Sequence, residues 1–267
     1  MKERLQPKIL VLKTDGTNCD DEMKFAFSKA QGKSEIVHVN ELRSKEKKLN
    51  DYKILGLPGG FSYGDDVRSG KILAIELTAY LGDQINDFIN HGGLILGVCN
   101  GFQVLIRTGL LPFGTMGKME ATLSDNNSGK FECRQVNLKI TDNNACMFLE
   151  DMKGKTVSYP VAHGEGKFFA REAELRKIEN EKLVVFRYVD SLDNQTLVYP
   201  DNPNGALNAI AGICDPSGRI LGLMPHPERA VEETQYPNWR RQRIMNNPIE
   251  PEGLPIFEKM VSYVNKM

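Results

Sequence analysis

Apolar positions fall into two patterns along this chain, and the change between them comes just past Pro112. Before it, short apolar runs alternate with stretches of helical spacing. Lys8 to Lys13 (KILVLK) predicts a strand, and Asp20 to Gln31 a helix carrying Met23, Phe25, Phe27 and Ala30. Ser34 to Val39 predicts a second strand, a charged helical stretch runs on through Leu49, and Tyr52 to Leu57 predicts a third strand ending in Pro58-Gly59-Gly60. Ser69 to Asn90 reads as a long helix, with Gly92 suited to its C-terminal end. Leu94 to Val98 is apolar almost without interruption, as a strand buried on both faces should be. Strands alternating with helices predict a parallel sheet.

After Pro112 strands dominate. Gln135 to Thr141 alternates, Thr156 to Val161 is extended, and Leu183 to Val189 is a further strand. Ala209 to Cys214 and Arg219 to Met224 predict a hairpin around Asp215-Pro216-Ser217-Gly218, and Glu252 to Lys266 a terminal helix. No repeat or linker justifies a cut. The expected fold is therefore α/β and flavodoxin-like: one domain over 1–267, a mostly parallel central sheet flanked by helices, and a strand-rich second half. Residues 230–252 are expected as an insertion and 252–267 as the terminal helix.

Composition narrows the function. The 267 residues carry 34 Lys and Arg against 35 Asp and Glu, a formal net charge of −1, so no global field attracts nucleic acid or an anionic membrane. No signal peptide or apolar span of about 18 residues is present, which predicts a cytoplasmic protein. The five cysteines (Cys19, Cys99, Cys133, Cys146, Cys214) are odd in number and form no C-x-x-C or Cys/His ladder, which suits a reducing compartment and predicts no metal site. Neither a phosphate loop nor G-x-G-x-x-G occurs, so no nucleotide cofactor is expected on this chain.

One thiol stands apart. Gly97-Val98-Cys99-Asn100-Gly101 has the form of a nucleophile elbow with cysteine in place of serine. Small neighbours permit the tight strand-to-helix turn, and the following helix aims its first N–H groups at the sulfur. On these five residues alone a buried core cysteine is an even alternative. Of four histidines, His38 and His91 suit structural roles, whereas His226 in Pro225-His226-Pro227-Glu228 follows an apolar strand. The prolines predict extended backbone, which sends His226 and Glu228 to one side and lets the carboxylate orient the imidazole. Asp65 and Asp66 read as solvated turn residues. The other four cysteines are read as bystanders, Cys19 with its role open.

Taken in order, Pro58-Gly59-Gly60, Gly97-Val98-Cys99-Asn100-Gly101-Phe102-Gln103 and Pro225-His226-Pro227-Glu228 resemble the triad-type (class I) glutamine amidotransferases. Gly-Gly-Phe-Ser-Tyr-Gly-Asp at 59–65, Pro-Val-Ala-His-Gly-Glu-Gly at 160–166 and Asn-Pro-Asn-Gly at 202–205 narrow the resemblance to the glutaminase subunits of phosphoribosylformylglycinamidine synthase. The resemblance implies a Cys99, His226, Glu228 triad that hydrolyses glutamine through a glutamyl thioester. It implies an oxyanion hole from the amides of Asn100 and of Gly59 or Gly60, and substrate contacts from Gln103, His163, Gly164 and Glu165. It further implies that ammonia passes to a synthetase subunit that binds ATP, Mg and formylglycinamide ribonucleotide, with a small adaptor subunit in the complex. The basic insertion around Trp239-Arg240-Arg241-Gln242-Arg243 is expected to contact that synthetase.

Overall fold

The computed structural model describes residues 6–267. Its first half is built from β1 (Lys8–Lys13), α1 (Asp20–Lys29), β2 (Lys33–His38), α2 (Val39–Arg43), β3 (Ile54–Leu57), α3 (Lys71–Asn90), β4 (Leu94–Val98) and α4 (Asn100–Thr108). The second half adds β5 (Ala121–Ser124), β6 (Glu132–Ile140), β7 (Thr156–His163), β8 (Lys167–Ala170), α5 (Glu172–Asn180), β9 (Val184–Val189), β10 (Ile210–Cys214), β11 (Ile220–Leu223), α6 (Trp239–Ile244) and α7 (Leu254–Val264).

A nine-stranded sheet runs β2-β1-β3-β4-β11-β10-β9-β6-β7. From β2 to β11 every neighbouring pair is parallel, and from β11 to β7 every pair is antiparallel. The expected α/β architecture is present, and the change of pattern after Pro112 corresponds to the antiparallel half. β11 leaves that second half of the chain to pair with β4, which places the end of β11 beside the Cys99 elbow. β3, β4 and β11 are buried at every position, whereas β7 alternates between buried and half-buried residues. Helices on the parallel half hide its faces. α1 buries Met23, Ala26 and Phe27, and Phe27 meets Phe257 of α7 edge-on at 4.9 Å.

Several elements differ from the pattern. The charged stretch after β2 is helical only through Arg43, because Ser44-Lys45-Glu46-Lys47-Lys48 offers no apolar residue with which to bury a longer helix. β5 and β8 form a separate two-stranded sheet, and α5 carries a single buried residue, Ile178; segments so short and so little buried leave a weak periodic signal. Within 230–252, Ala230, Val231 and Tyr236 are core residues and Trp239 packs partly buried against the core, while α6 has no fully buried residue. No helix among the described residues is long and apolar enough to cross a membrane.

Candidate active site

Cys99 sits between β4 and α4 with φ +51° and ψ −105°, a region that L-residues rarely adopt. The turn is held because its flanks have no room for side chains: a Cβ on Gly101 would lie 1.9 Å from the Leu57 carbonyl oxygen. The thiol donates to the Ala162 carbonyl of β7 at 3.6 Å. It thus lies at the N-terminus of a nine-residue helix whose first amides have no helical partner.

His226 arrives from the end of β11, and its amide donates to the Pro160 carbonyl of β7 at 2.8 Å. Its Nδ1 donates to Glu228 Oε1 at 2.5 Å, and both residues are buried. The pair meets as expected, by a different route. Pro227–Arg229 is a single 3-10 turn rather than extended chain, so Glu228 curls back onto the imidazole it follows. Burial works against a charge on His226, but the Glu228 carboxylate, followed by Cys99, outweighs it and holds the imidazole well above its ordinary value.

Gly59 is the point where these parts converge. A Cβ there would lie 2.8 Å from His226 Cε1, 3.1 Å from Cys19 Sγ and 3.5 Å from Cys99 Cβ. Among the described residues, the amides of Gly59 and Gly60 donate to no backbone acceptor. Asn100 ties this loop to α4: its Oδ1 accepts from the Ser62 amide at 3.3 Å, and its Nδ2 donates to Asp65 Oδ1 at 3.1 Å and Gln103 Oε1 at 3.0 Å. Asp65 is therefore a latch and not the solvated turn residue expected. It also accepts from the Gly70 amide at 3.1 Å, and burial pushes its pKa up.

Gln103 donates from Nε2 to the Glu165 carbonyl at 2.5 Å, so both ends of its amide are engaged within the protein. Gly164 accepts the Asn126 amide at 2.9 Å, and the Glu165 carboxylate stands 3.7 Å from Arg107 and 3.8 Å from Arg68. His163, buried at the end of β7, donates from Nδ1 to Asn126 Oδ1 at 3.1 Å, and its Nε2 lies 3.5 Å from Asn204 Nδ2. Burial, with nearby His226 second, pushes its pKa down to about 3.

Sequence reasoning missed part of this wall. Asn126 stands out in the sequence only within a chance glycosylation-like triplet, Asn126-Asn127-Ser128, Asn204 only within Asn-Pro-Asn-Gly, and Tyr188, whose hydroxyl accepts from Asn204 Nδ2 at 3.0 Å, only as a strand residue. Cys19 is not a bystander. It is buried against Gly59 and His226, and Arg229 Nη2 donates to its sulfur at 3.1 Å. Cys146 and Cys214 are buried thiols with pKa values pushed up by burial, Cys214 to about 12, while Cys133 is exposed on β6. His91 closes α3, as its position suggested, whereas His38, expected in mid-strand, ends β2 and caps α2; both roles are structural.

A strained cysteine at a helix N-terminus, a buried imidazole fixed by a carboxylate, and a glycine loop with free amides together suit attack on an acyl carbon. Residues 6–264 match the CobB/CobQ-like glutamine amidotransferase domain. The chain is 43% identical over 260 residues to the phosphoribosylformylglycinamidine synthase subunit PurQ of Dehalococcoides mccartyi, covering 97% of this chain and 98% of that one. It is 44% identical over 271 residues to the PurQ subunit of a Methanococcus maripaludis strain, covering 97% and 99% respectively. A chain of the solved structure of PurLQS from Thermotoga maritima superposes with a TM-score of 0.72 at 32% identity, covering 97% of this chain and 100% of that chain. The fold alone is shared with the glutaminase domain of Trypanosoma brucei CTPS, with a TM-score of 0.53 at 14% identity, covering 97% of this chain and 94% of that one. The chain belongs to the glutamine amidotransferase family and, within it, to the PurQ subunits of phosphoribosylformylglycinamidine synthase.

Proposed function

We propose that this chain hydrolyses glutamine to glutamate and ammonia and delivers the ammonia to a synthetase subunit, which uses ATP to convert formylglycinamide ribonucleotide to formylglycinamidine ribonucleotide in purine biosynthesis. The observation that carries the reading is Cys99, in its strained elbow, beside an imidazole whose Nδ1 is held by buried Glu228 at 2.5 Å. Cys99 attacks the side-chain amide carbon while His226, oriented by Glu228, takes the thiol proton and returns it to the departing ammonia. Water then opens the thioester with His226 as base. The amides of Asn100 and Gly59 or Gly60 receive the oxyanion, and Gln103, His163, Gly164 and Glu165 surround the substrate.

In this reading ATP and Mg reside on the synthetase, a small adaptor subunit completes the complex, and the whole works in the cytoplasm. The exposed, basic, Trp-bearing α6 is the surface offered to the synthetase. Glutamate release from glutamine, followed with and without the synthetase, tests the reading: Cys99→Ser is expected to lose at least about 10³-fold in rate. Undiminished release by that variant would end the mechanism.

A further inference from the structure

Cys19 lies outside the proposed triad yet touches it. Its sulfur, an imidazole nitrogen of His226 and a carboxylate oxygen of Glu228 all fall within 4.8 Å of one another, and the three residues are buried. The protein's own bonding leaves a donor over. Glu228 Oε2 is buried without a hydrogen-bond partner among the described residues. Buried groups of this kind normally find partners, so unfilled ones mark a place where something else binds.

Thiol, imidazole and carboxylate are the donors favoured by Zn²⁺-class ions, whereas Mg²⁺ and Ca²⁺ take oxygen. The charges also match. A Cys19 thiolate and the Glu228 carboxylate neutralise a divalent ion beside a neutral imidazole, and the Arg229 charge next to Cys19 is answered by Glu22 at 3.0 Å. We propose that Cys19, His226 and Glu228 form a binding site for a thiophilic divalent cation of the Zn²⁺ class, and that its occupation stops the chemistry at Cys99.

Binding forms one bond each to Cys19 Sγ, His226 Nδ1 and a Glu228 oxygen: the Cys19 thiol, which donates to Asn18 Oδ1 at 3.1 Å, releases its proton to solvent, the Nδ1 proton held by Glu228 passes to Nε2, and no electron is transferred. Burial pushes the Cys19 thiol up, with His226 and, more weakly, Arg229 working against it, so the bond to the cation has to outweigh that cost. Metal contacts of about 2.0–2.3 Å ask donor atoms that now lie within 4.8 Å of one another to close on a common centre. An imidazole that holds a cation together with Glu228 no longer takes a proton from Cys99. This inhibitory half rests on the glutaminase reading; the binding half does not.

The test adds Co²⁺, as a visible stand-in for Zn²⁺, to the full chain alone and in complex with its synthetase. A sulfur-to-cobalt charge-transfer band at one ion per chain is expected, displaced by Zn²⁺, retained in Cys99→Ser and lost in Cys19→Ser. Zn²⁺ is expected to inhibit glutamate release reversibly, and the inhibition, scaled to each variant's own uninhibited rate, to weaken at least about 10-fold in Cys19→Ser. A band lost in Cys99→Ser, or unchanged in Cys19→Ser, overturns the site. If Cys19→Ser does not fold, the wild-type and Cys99→Ser spectra still decide. A correct band in a chain that never releases glutamate overturns the function and leaves the cation site standing.

Discussion

His226 and His163 stand at the ends of strands in opposite halves of one sheet, are both hidden from water, and have pKa values pushed in opposite directions. Burial disfavours the imidazolium in both. The difference lies in their partners: His226 meets a carboxylate at 2.5 Å, whereas His163 meets only the amides of Asn126 and Asn204, at 3.1 and 3.5 Å. Only an ionised neighbour outweighs the loss of water around a buried cation. The parallel half, closed on both faces, thus carries the charged machinery, and the antiparallel half supplies a neutral, hydrogen-bonded wall beside it.

The largest break in this contrast comes from Glu228→Gln, which gives His226 an amide partner like those of His163. Glutaminase kcat/KM is expected to fall by about 10³- to 10⁴-fold, and the His226 imidazole to titrate far lower, as followed by NMR. Gly59→Ala comes next, since its Cβ would stand 2.8 Å from His226 Cε1. A loss on the order of 10²-fold in kcat is expected from displacement of the imidazole, with overpacking costing about 1–3 kcal/mol of stability.

Stability should read the two histidines with opposite signs. The folded-state pKa of His163 lies below its unfolded value, so the unfolded chain binds the extra proton between about 3 and 6.5. Its contribution is therefore present above pH 6.5 and lost below it, by up to about 1.4 kcal/mol per pH unit. Raised His226 stabilises below its unfolded pKa and loses that contribution as pH rises through its folded value. Urea midpoints at pH 7.5 and 5.5 are expected to converge in His163→Gln. The smallest change is Asn204→Asp, which replaces the amide donor to the Tyr188 hydroxyl with an oxygen to which that hydroxyl can donate, and places a carboxylate near His163 Nε2. NMR titration is expected to show the His163 pKa raised by about 1 to 3; no rise would mean that partner charge does not set the contrast.

How much was legible in the sequence follows from distance along the chain. The elbow at Gly97 to Gly101 and the pairing of His226 with Glu228 are encoded by adjacent residues, so both could be read directly, although the backbone reason for the second was a 3-10 turn and not an extended run. The parallel half declared itself through continuous apolar runs. β5, β8 and α5 did not, since short elements with few buried positions leave little periodicity.

What the sequence determined by itself, then, was the alternation of strands and helices in the first half, the tight elbow at Cys99 and the meeting of His226 with Glu228, because steric and hydrogen-bonding constraints among near neighbours specify them. The tertiary structure alone decided that Cys19 joins the site, touching Arg229 from 210 residues away in the chain, and that Asn126, Asn204 and Tyr188 wall in a neutral His163. Those outcomes depend on which groups meet after water is excluded. Composition and spacing carry no record of that encounter.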